Sequence, residues 1–382
     1  MKIKIKSDRI IVGNGLFDGF LYFEDGKIIE VTDKDIKCDV FYDFSGKYVS
    51  AGFIDMHTHG AGGHAFTMSS PTQVALGCDF HLAHGTTSIV PTISAGPFEI
   101  MEQAVDCIQQ AKDGKLSKAN ILGGHLEGPY LSVNQAGAQC ADYITKPIAS
   151  QYERLVKKYP DGIARWTYAP ENDTDGMFCK YLTSCGIVAS AGHTDAKYSD
   201  MQVATENGCN LITHLYSCTS TVTRDHGFRS LGVVESAFLR DDLYVEIIAD
   251  GKHLPLDLIK MIIKIKGIDK VALITDSLEI AGTTVTSGTM SGTDYIVEDG
   301  VCKLKDRSAF AGSVATADRL VRVICQCGYT VAQAVYMITC VPAKILHLIS
   351  KGRLEKGFDA DIVVFDDDIN VSNVFVGGNL IQ

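Results

Sequence analysis

Residues 51–63 read AGFIDMHTHGAGG. The largely apolar run Phe53-Ile54-Asp55-Met56 predicts a short buried strand, which ends in His57-Thr58-His59 and meets glycines at once. Along a strand, residues i and i+2 share a face, so two imidazoles leave this strand end side by side. Neutral imidazole is a common ligand for zinc and iron, and the spacing suits two ligands of one ion. Two histidines packed at a strand end are the plainer alternative, and the rest of the chain decides between them.

Downstream, short apolar strands alternate with longer amphipathic stretches. The predicted strands are Phe53–His59, Thr87–Pro91, Ile121–Glu127, Ala164–Ala169, Ile187–His193, Leu211–His214, Tyr244–Asp250 and Val271–Asp276. Leu256 to Lys266 illustrates the helices between them: Leu258, Ile259, Ile262 and Ile263 form an apolar face, and Lys260, Lys264 and Lys266 a solvated one. Eight strands alternating with helices predict an α/β fold, a (β/α)8 TIM-like barrel over 51–350. Upstream, Ile3 to Val12, Phe20 to Phe23, Lys27 to Val31 and Tyr48-Val49 are short alternating runs punctuated by glycines. Ala360 to Phe365 and Val371 to Val376 resemble them at the other end. One small β-sandwich domain built from residues 1–50 and 351–382 is therefore expected.

The 382 residues suffice for one large and one small domain, and 46% hydrophobic with 21% charged residues describes an ordinary globular chain. The formal charge is −11, without a basic run or an aromatic-basic patch, which argues against nucleic acid and anionic membrane surfaces as partners. Twelve cysteines are scattered without a CxxC pair. The N-terminus, MKIKIKSDRIIVGNG, reads as a strand and has no apolar signal region. Reduced thiols and a cytoplasmic location are expected. No apolar run approaches membrane-spanning length.

Active sites of such barrels sit at the C-terminal strand ends. Here those ends carry His57 and His59, Glu127, His193, His214, Asp250 with His253 just beyond, and Asp276. Singly, each reads as a helix-capping carboxylate or a packed histidine. Together they place four imidazoles and a carboxylate around one axial cavity, the donor set of a metal centre. Asp276 is then the natural general base, passing a proton from water to a leaving group. No phosphate-binding glycine loop and no GxSxG elbow competes. His125 shares a strand face with Glu127 and is expected behind the ligands, and His81 and His84 are expected to be structural.

Seven segments, in order, resemble the N-acetylglucosamine-6-phosphate deacetylases of the amidohydrolase superfamily. They are AGFIDMHTHG (51–60), GGHLEGPYLS (123–132), AGHTDA (191–196), THLY (213–216), IADGKH (248–253), LITDS (273–277) and AGSVATAD (311–318), with the tail KGFDADIVVFD (356–366) as a returning sheet strand. The resemblance spans essentially the whole chain. It implies one or two divalent metal ions, zinc or iron, with Glu127, His193 and His214 as principal ligands. It implies His57 and His59 for a second metal and Asp276 as the catalytic aspartate. The fourth strand has no lysine, so Glu127 would bridge two metals.

For substrate contacts the resemblance points to Ala138, Gln139, Ser217, Cys218, Arg224, His253, Ala311, Gly312 and Ser313. Ser217-Cys218-Thr219 stands where relatives have Asn-Ala-Met, and Arg224-Asp225-His226-Gly227 departs from their Arg-Glu-Pro-Gly in spacing. Arg224 has the planar fork suited to phosphate; a surface pair with Asp225 is its rival. The implied reaction is hydrolysis of the acetamide of N-acetyl-D-glucosamine 6-phosphate by a homodimer. A different N-acyl or amide substrate, or a catalytically silent sugar-binding protein on the same fold, are the alternatives.

Overall fold

Eight parallel strands form a nearly closed ring in the computed structural model, which describes residues 1–224 and 226–382 in full and residue 225 by its backbone. They are Phe53–Thr58, Thr86–Ser94, Gly124–Glu127, Ile163–Tyr168, Val188–Ala191, Leu211–Ile212, Tyr244–Ile248 and Val271–Ile274, each paired with its predecessor in the chain. The seam between last and first strands is closed by Asp276 N–H donating to the His57 carbonyl at 2.9 Å. Thr275 Oγ1 adds a bond to the buried Asp55 carboxylate at 2.5 Å.

Helices cover the outside of the ring. The first, Pro71–Leu82, shows why the sequence starts a helix there: Ser70 accepts from Gln73 N–H, the Gln73 side chain returns to Ser70 N–H, and proline occupies the first turn. In Leu256–Lys266 the apolar face turns inward as the periodicity predicts, with Ile259, Ile262 and Ile263 buried. Lys266 corrects the expectation of a solvated lysine face. It is buried, and its ammonium donates to the carbonyls of Ala237 and Arg240, both at 2.8 Å.

Inside the ring the side chains alternate in layers. Met56, Val90, Val188, Leu211 and Ile274 form an apolar layer with Val341 and Ile345 of the helix Cys340–Ile345. Two residues further along three of these strands come Thr92, Ser190 and Thr213, on the same strand faces and all buried. A polar layer therefore separates the apolar floor from the strand ends.

Both chain ends build one eight-stranded sheet, in the order Asn379–Leu380, Val371–Val376, Ile362–Phe365, Tyr48–Ala51, Ile3–Val12, Gly15–Glu24, Lys27–Thr32, with Val40–Asp43 also paired to Ile3–Val12. It has its own core, including Ile5, Leu21, Phe23, Ile362, Val364 and Phe375. A four-stranded antiparallel sheet, Ser287–Met290, Thr293–Glu298, Val301–Leu304 and Phe310–Gly312, follows the last barrel strand and is additional to the expected architecture. Two of its turns carry hairpin chemistry: Ser291-Gly292 and Asp299-Gly300 all have positive φ, the requirement of a type I′ turn. All twelve cysteines are unpaired. Among the described residues no helix is long and apolar enough to cross a membrane.

Candidate active site

The ligand candidates sit at the strand ends, three of them just past the regular pairing. His193, His214 and Asp276 each lie two residues beyond a strand and adopt φ of 49°, 27° and 47°. Non-glycine residues seldom hold this left-handed conformation, and when they do the chain turns sharply. Here the turn carries each strand into its following loop while the side chain stays over the barrel axis.

Four imidazole Nε2 atoms converge on Glu127. His57 lies 3.3 Å, His193 3.2 Å and His214 2.9 Å from Oε1, and His59 lies 3.1 Å from Oε2. Asp276 Oδ1 stands 3.5 Å from His57 Nε2 and 3.3 Å from His59 Nε2. The ligand atoms fall into two groups of metal-binding geometry, His57–Glu127–His214 and His57–His59–Asp276. All five expected ligands are thus brought together with Asp276, and all are buried.

The outer ring nitrogens explain which way the lone pairs point. His193 Nδ1 is 2.8 Å from the Gln135 carbonyl and His214 Nδ1 is 3.0 Å from the Ser217 carbonyl. A carbonyl only accepts, so both Nδ1 atoms carry the proton and both Nε2 lone pairs face the Glu127 carboxylate. Lone pairs and carboxylate oxygens about 3 Å apart repel unless a cation lies between them or the rings are protonated. His57 and Glu127 show the same demand. Burial disfavours protonated His57, yet the Glu127 and Asp276 carboxylates raise its pKa to about 10. Burial likewise opposes ionised Glu127, yet the surrounding imidazoles hold its carboxyl well below the usual range. The donor set fits a divalent metal.

His59, Glu127, His193, His214 and Asp276 form one wall of a cavity of about 260 Å³, and His57 is buried behind it. Of the expected substrate contacts, Ala138, Gln139, Ser217, Cys218, His253, Ala311 and Gly312 line it. Gln139 is held at both ends of its amide: Nε2 donates to Glu127 Oε2 at 2.6 Å and Oε1 accepts from Ala95 N–H at 2.8 Å. It orients the central carboxylate. His253 Nδ1 pairs with Asp250 Oδ2 at 2.9 Å, which leaves Nε2 as the nitrogen available to a ligand.

Ser313 and Arg224 do not line the cavity. Ser313 is buried behind it, its hydroxyl donating to the Thr275 carbonyl at 2.5 Å and its N–H to the Asp276 carbonyl at 2.7 Å. Arg224 lies on the exposed hairpin Thr223–Asp225 and Phe228–Ser230, directly opposite Arg229. Among the described residues it has no carboxylate partner. The suggested pairing with Asp225 concerns a side chain outside the described residues.

Tyr216, Ile248, Met290, Ala309 and Phe310 complete the cavity and are additional to the expected contacts. Met290 and Phe310 belong to the inserted sheet, whose hairpin signals could have placed them. His125 stands behind the ligands as expected, 3.0 Å from Thr92 Oγ1 and 2.7 Å from Thr167 Oγ1. His81 is a buried helix residue bonded to Thr58 Oγ1 and the Gly60 carbonyl, and His84 pairs with Asp318.

A sequence model of the amidohydrolase family matches residues 48–381. The N-acetylglucosamine-6-phosphate deacetylase of Lysinibacillus sphaericus is 30% identical over 362 residues, which cover 94% of this chain and 92% of that protein. The N-acetylgalactosamine-6-phosphate deacetylase of Shewanella sp. (strain ANA-3) is also 30% identical, over 334 residues covering 87% and 82% of the two. Among solved structures, an Asp-to-Ala mutant of N-acetyl-D-glucosamine-6-phosphate deacetylase from Mycobacterium smegmatis, in complex with N-acetyl-D-glucosamine-6-phosphate, superposes with a TM-score of 0.91. It is 26% identical and covers 99% of both chains.

Proposed function

The chain belongs to the amidohydrolase family, and on that premise we propose that it removes the acetyl group of N-acetyl-D-glucosamine 6-phosphate, releasing acetate and glucosamine 6-phosphate. The observation that carries the reading is the convergence of four imidazoles on Glu127, with Asp276 beside them, at the wall of a single cavity. A silent binding protein is not favoured by the relatives and has no need of an intact ligand set, and the relatives favour N-acetyl amino sugar 6-phosphates over other amides.

Glu127, His193 and His214 would hold one divalent ion, zinc or iron, and His57 with His59 would help hold a second. Such an ion polarises a carbonyl oxygen and lowers the pKa of water. The chain's own part is proton transfer and positioning. Asp276 takes a proton from the attacking water and delivers it to the sugar nitrogen as the C–N bond breaks, so that acetate and a free amine leave. Gln139 fixes the Glu127 carboxylate, and His253, whose Nδ1 proton goes to Asp250, presents the Nε2 lone pair to accept from a sugar hydroxyl.

Arg224 and Arg229 face each other across a hairpin, an unfavourable like-charge pair that an anion would relieve. Because Arg224 lies outside its own cavity, we assign it to the phosphate of a substrate bound in the second copy of a cytoplasmic homodimer. Arg224→Ala should then raise KM for the phosphorylated sugar at least tenfold and leave hydrolysis of the unphosphorylated sugar unchanged.

A second reading, the 4-epimer N-acetyl-D-galactosamine 6-phosphate, rests on the Shewanella relative, whose identity equals that of the Lysinibacillus enzyme. Acetate release from both phosphorylated sugars and from N-acetylglucosamine decides. Greatest kcat/KM on the glucosamine compound supports the first reading. Preference for the epimer selects the second, and equal turnover with and without phosphate removes both.

A further inference from the structure

Two fully buried charges lie in the polar layer beneath the candidate metal site. Arg165, on the fourth barrel strand, and Glu246, on the seventh, are both 0% exposed. They form a fork-to-fork pair: Arg165 Nη1 bonds Glu246 Oε1, and Nη2 bonds Oε2 at 3.1 Å. Nη2 also donates to Ser190 and Thr213 hydroxyls at 3.1 Å. Stability alone does not account for such a pair, because replacing a buried ion pair by apolar side chains of similar volume is often neutral or stabilising. Barrels of this architecture ordinarily fill these layers with branched aliphatic residues.

The position of Glu246 supplies a reason. Its Oε2 accepts from the backbone N–H of His214 at 3.4 Å and stands 3.6 Å from His57 Nδ1. His193, His214 and His59 each have an Nδ1 partner, in two carbonyls and the Ser94 hydroxyl. His57 has none at hydrogen-bonding distance: both its ring nitrogens are buried and unsatisfied among the described residues. The Glu246 carboxylate is what faces the outer one.

The geometry points to Glu246, clamped by Arg165, as the positioning residue of His57: it draws the ring proton to Nδ1 and leaves Nε2 as a lone pair aimed at the metal site. The same carboxylate touches the backbone of His214, so one anion braces ligands from the first and sixth strands. Arg165 acts at one remove, fixing the plane of the carboxylate and balancing its charge. This inference rests on the reading of His57 as a metal ligand.

The test is metal binding by the full-length protein, measured by competition with a chromophoric chelator, with the visible spectrum of the cobalt-loaded form as a second readout. His57→Asn identifies the ion that depends on His57. Glu246→Gln should weaken that same ion by about tenfold to a hundredfold and shift the cobalt bands, because an amide replaces an acceptor beside Nδ1. The paired variant Arg165→Met/Glu246→Leu removes both charges together and guards against a misfolded single variant. It should keep the melting temperature of the metal-free protein and show the same loss of affinity. If both variants bind metal as wild type does while His57→Asn is impaired, the positioning role of Glu246 is overturned. If His57→Asn itself binds normally, the ligand assignment beneath the inference is the part that fails.

Discussion

The left-handed backbone at His193, His214 and Asp276 restricts what can replace them. Conformations of this kind cost of order 1–3 kcal/mol and persist where the surroundings over-determine them. Asparagine tolerates the region better than most residues, so Asp276→Asn isolates the chemistry from the backbone. We expect that variant to keep its fold and most of its metal while kcat falls by about two to four orders of magnitude. A rate near wild type would place the general base elsewhere. His193→Ala should act differently, lowering metal content per chain and activity together, as elemental analysis beside the assay would read. A third residue bears on pH. Burial holds His81 down at about 4, against an ordinary value near 6.5. Above 6.5 the folded and unfolded states are both neutral there. Below it only the unfolded chain takes up the proton, so stability falls as pH drops from about 6.5 to about 4, by on the order of 3 kcal/mol. Urea denaturation of the metal-free protein at the two ends of that window should show a smaller pH effect in His81→Gln than in wild type.

Among the elements, the inserted sheet does most to shape the cavity. Its last strand, Phe310–Gly312, presses on the segment that presents Asp276. A Cβ at Gly312 would meet the Asp276 carbonyl at 3.0 Å, and φ there is +126°. Gly312→Ala should therefore shift Asp276, lowering kcat at least tenfold and costing about 1–3 kcal/mol of stability. Unchanged kcat, measured beside the melting curve, would refute that coupling. The sequence reading assigns no element to Ser287–Gly312, although Ser291-Gly292 and Asp299-Gly300 mark its hairpins, because a barrel template draws attention to the eight buried strands. Those strands are legible: each is a short apolar run bounded by turn residues, and the chemistry at its end stands out against it. Their ends are less so. Pattern extends the fifth and sixth strands to His193 and His214, whereas regular pairing stops two residues earlier, because periodicity does not reveal a left-handed turn. Arg165 and Glu246 were hidden for a related reason: a charge inside an apolar run has no partner in the sequence, and its meaning appears only when the ring brings the fourth and seventh strands together.

At the scale of the molecule, Asp361 ties the two-ended sheet to the barrel. One oxygen accepts from Gly377 N–H at 2.8 Å. The other accepts from Lys351 Nζ at 2.6 Å and from Asn120 Nδ2 at 3.1 Å, and Asn120 begins the third barrel strand region. Lys351 keeps Asp359 as a partner at 3.0 Å, so what Asp361 alone satisfies is the Gly377 N–H and part of the Asn120 amide. Asp361→Ala should cost about 1–3 kcal/mol in urea denaturation, with hydrogen exchange rising first in Ile362–Phe365 and its neighbours. Loss confined to the barrel strands would contradict that role. The seam has a consequence for how the chain is made. His57 and Asp276 meet where the ring closes, so a ribosome must release more than half of the protein before the last strand reaches the first. The two-ended sheet waits longer still for its C-terminal strands. Before the last barrel strand emerges the polypeptide is an open ring with a bare strand edge, its ligands made by residue 214 but Asp276 still missing beside them, so the active site is completed only after the ring closes.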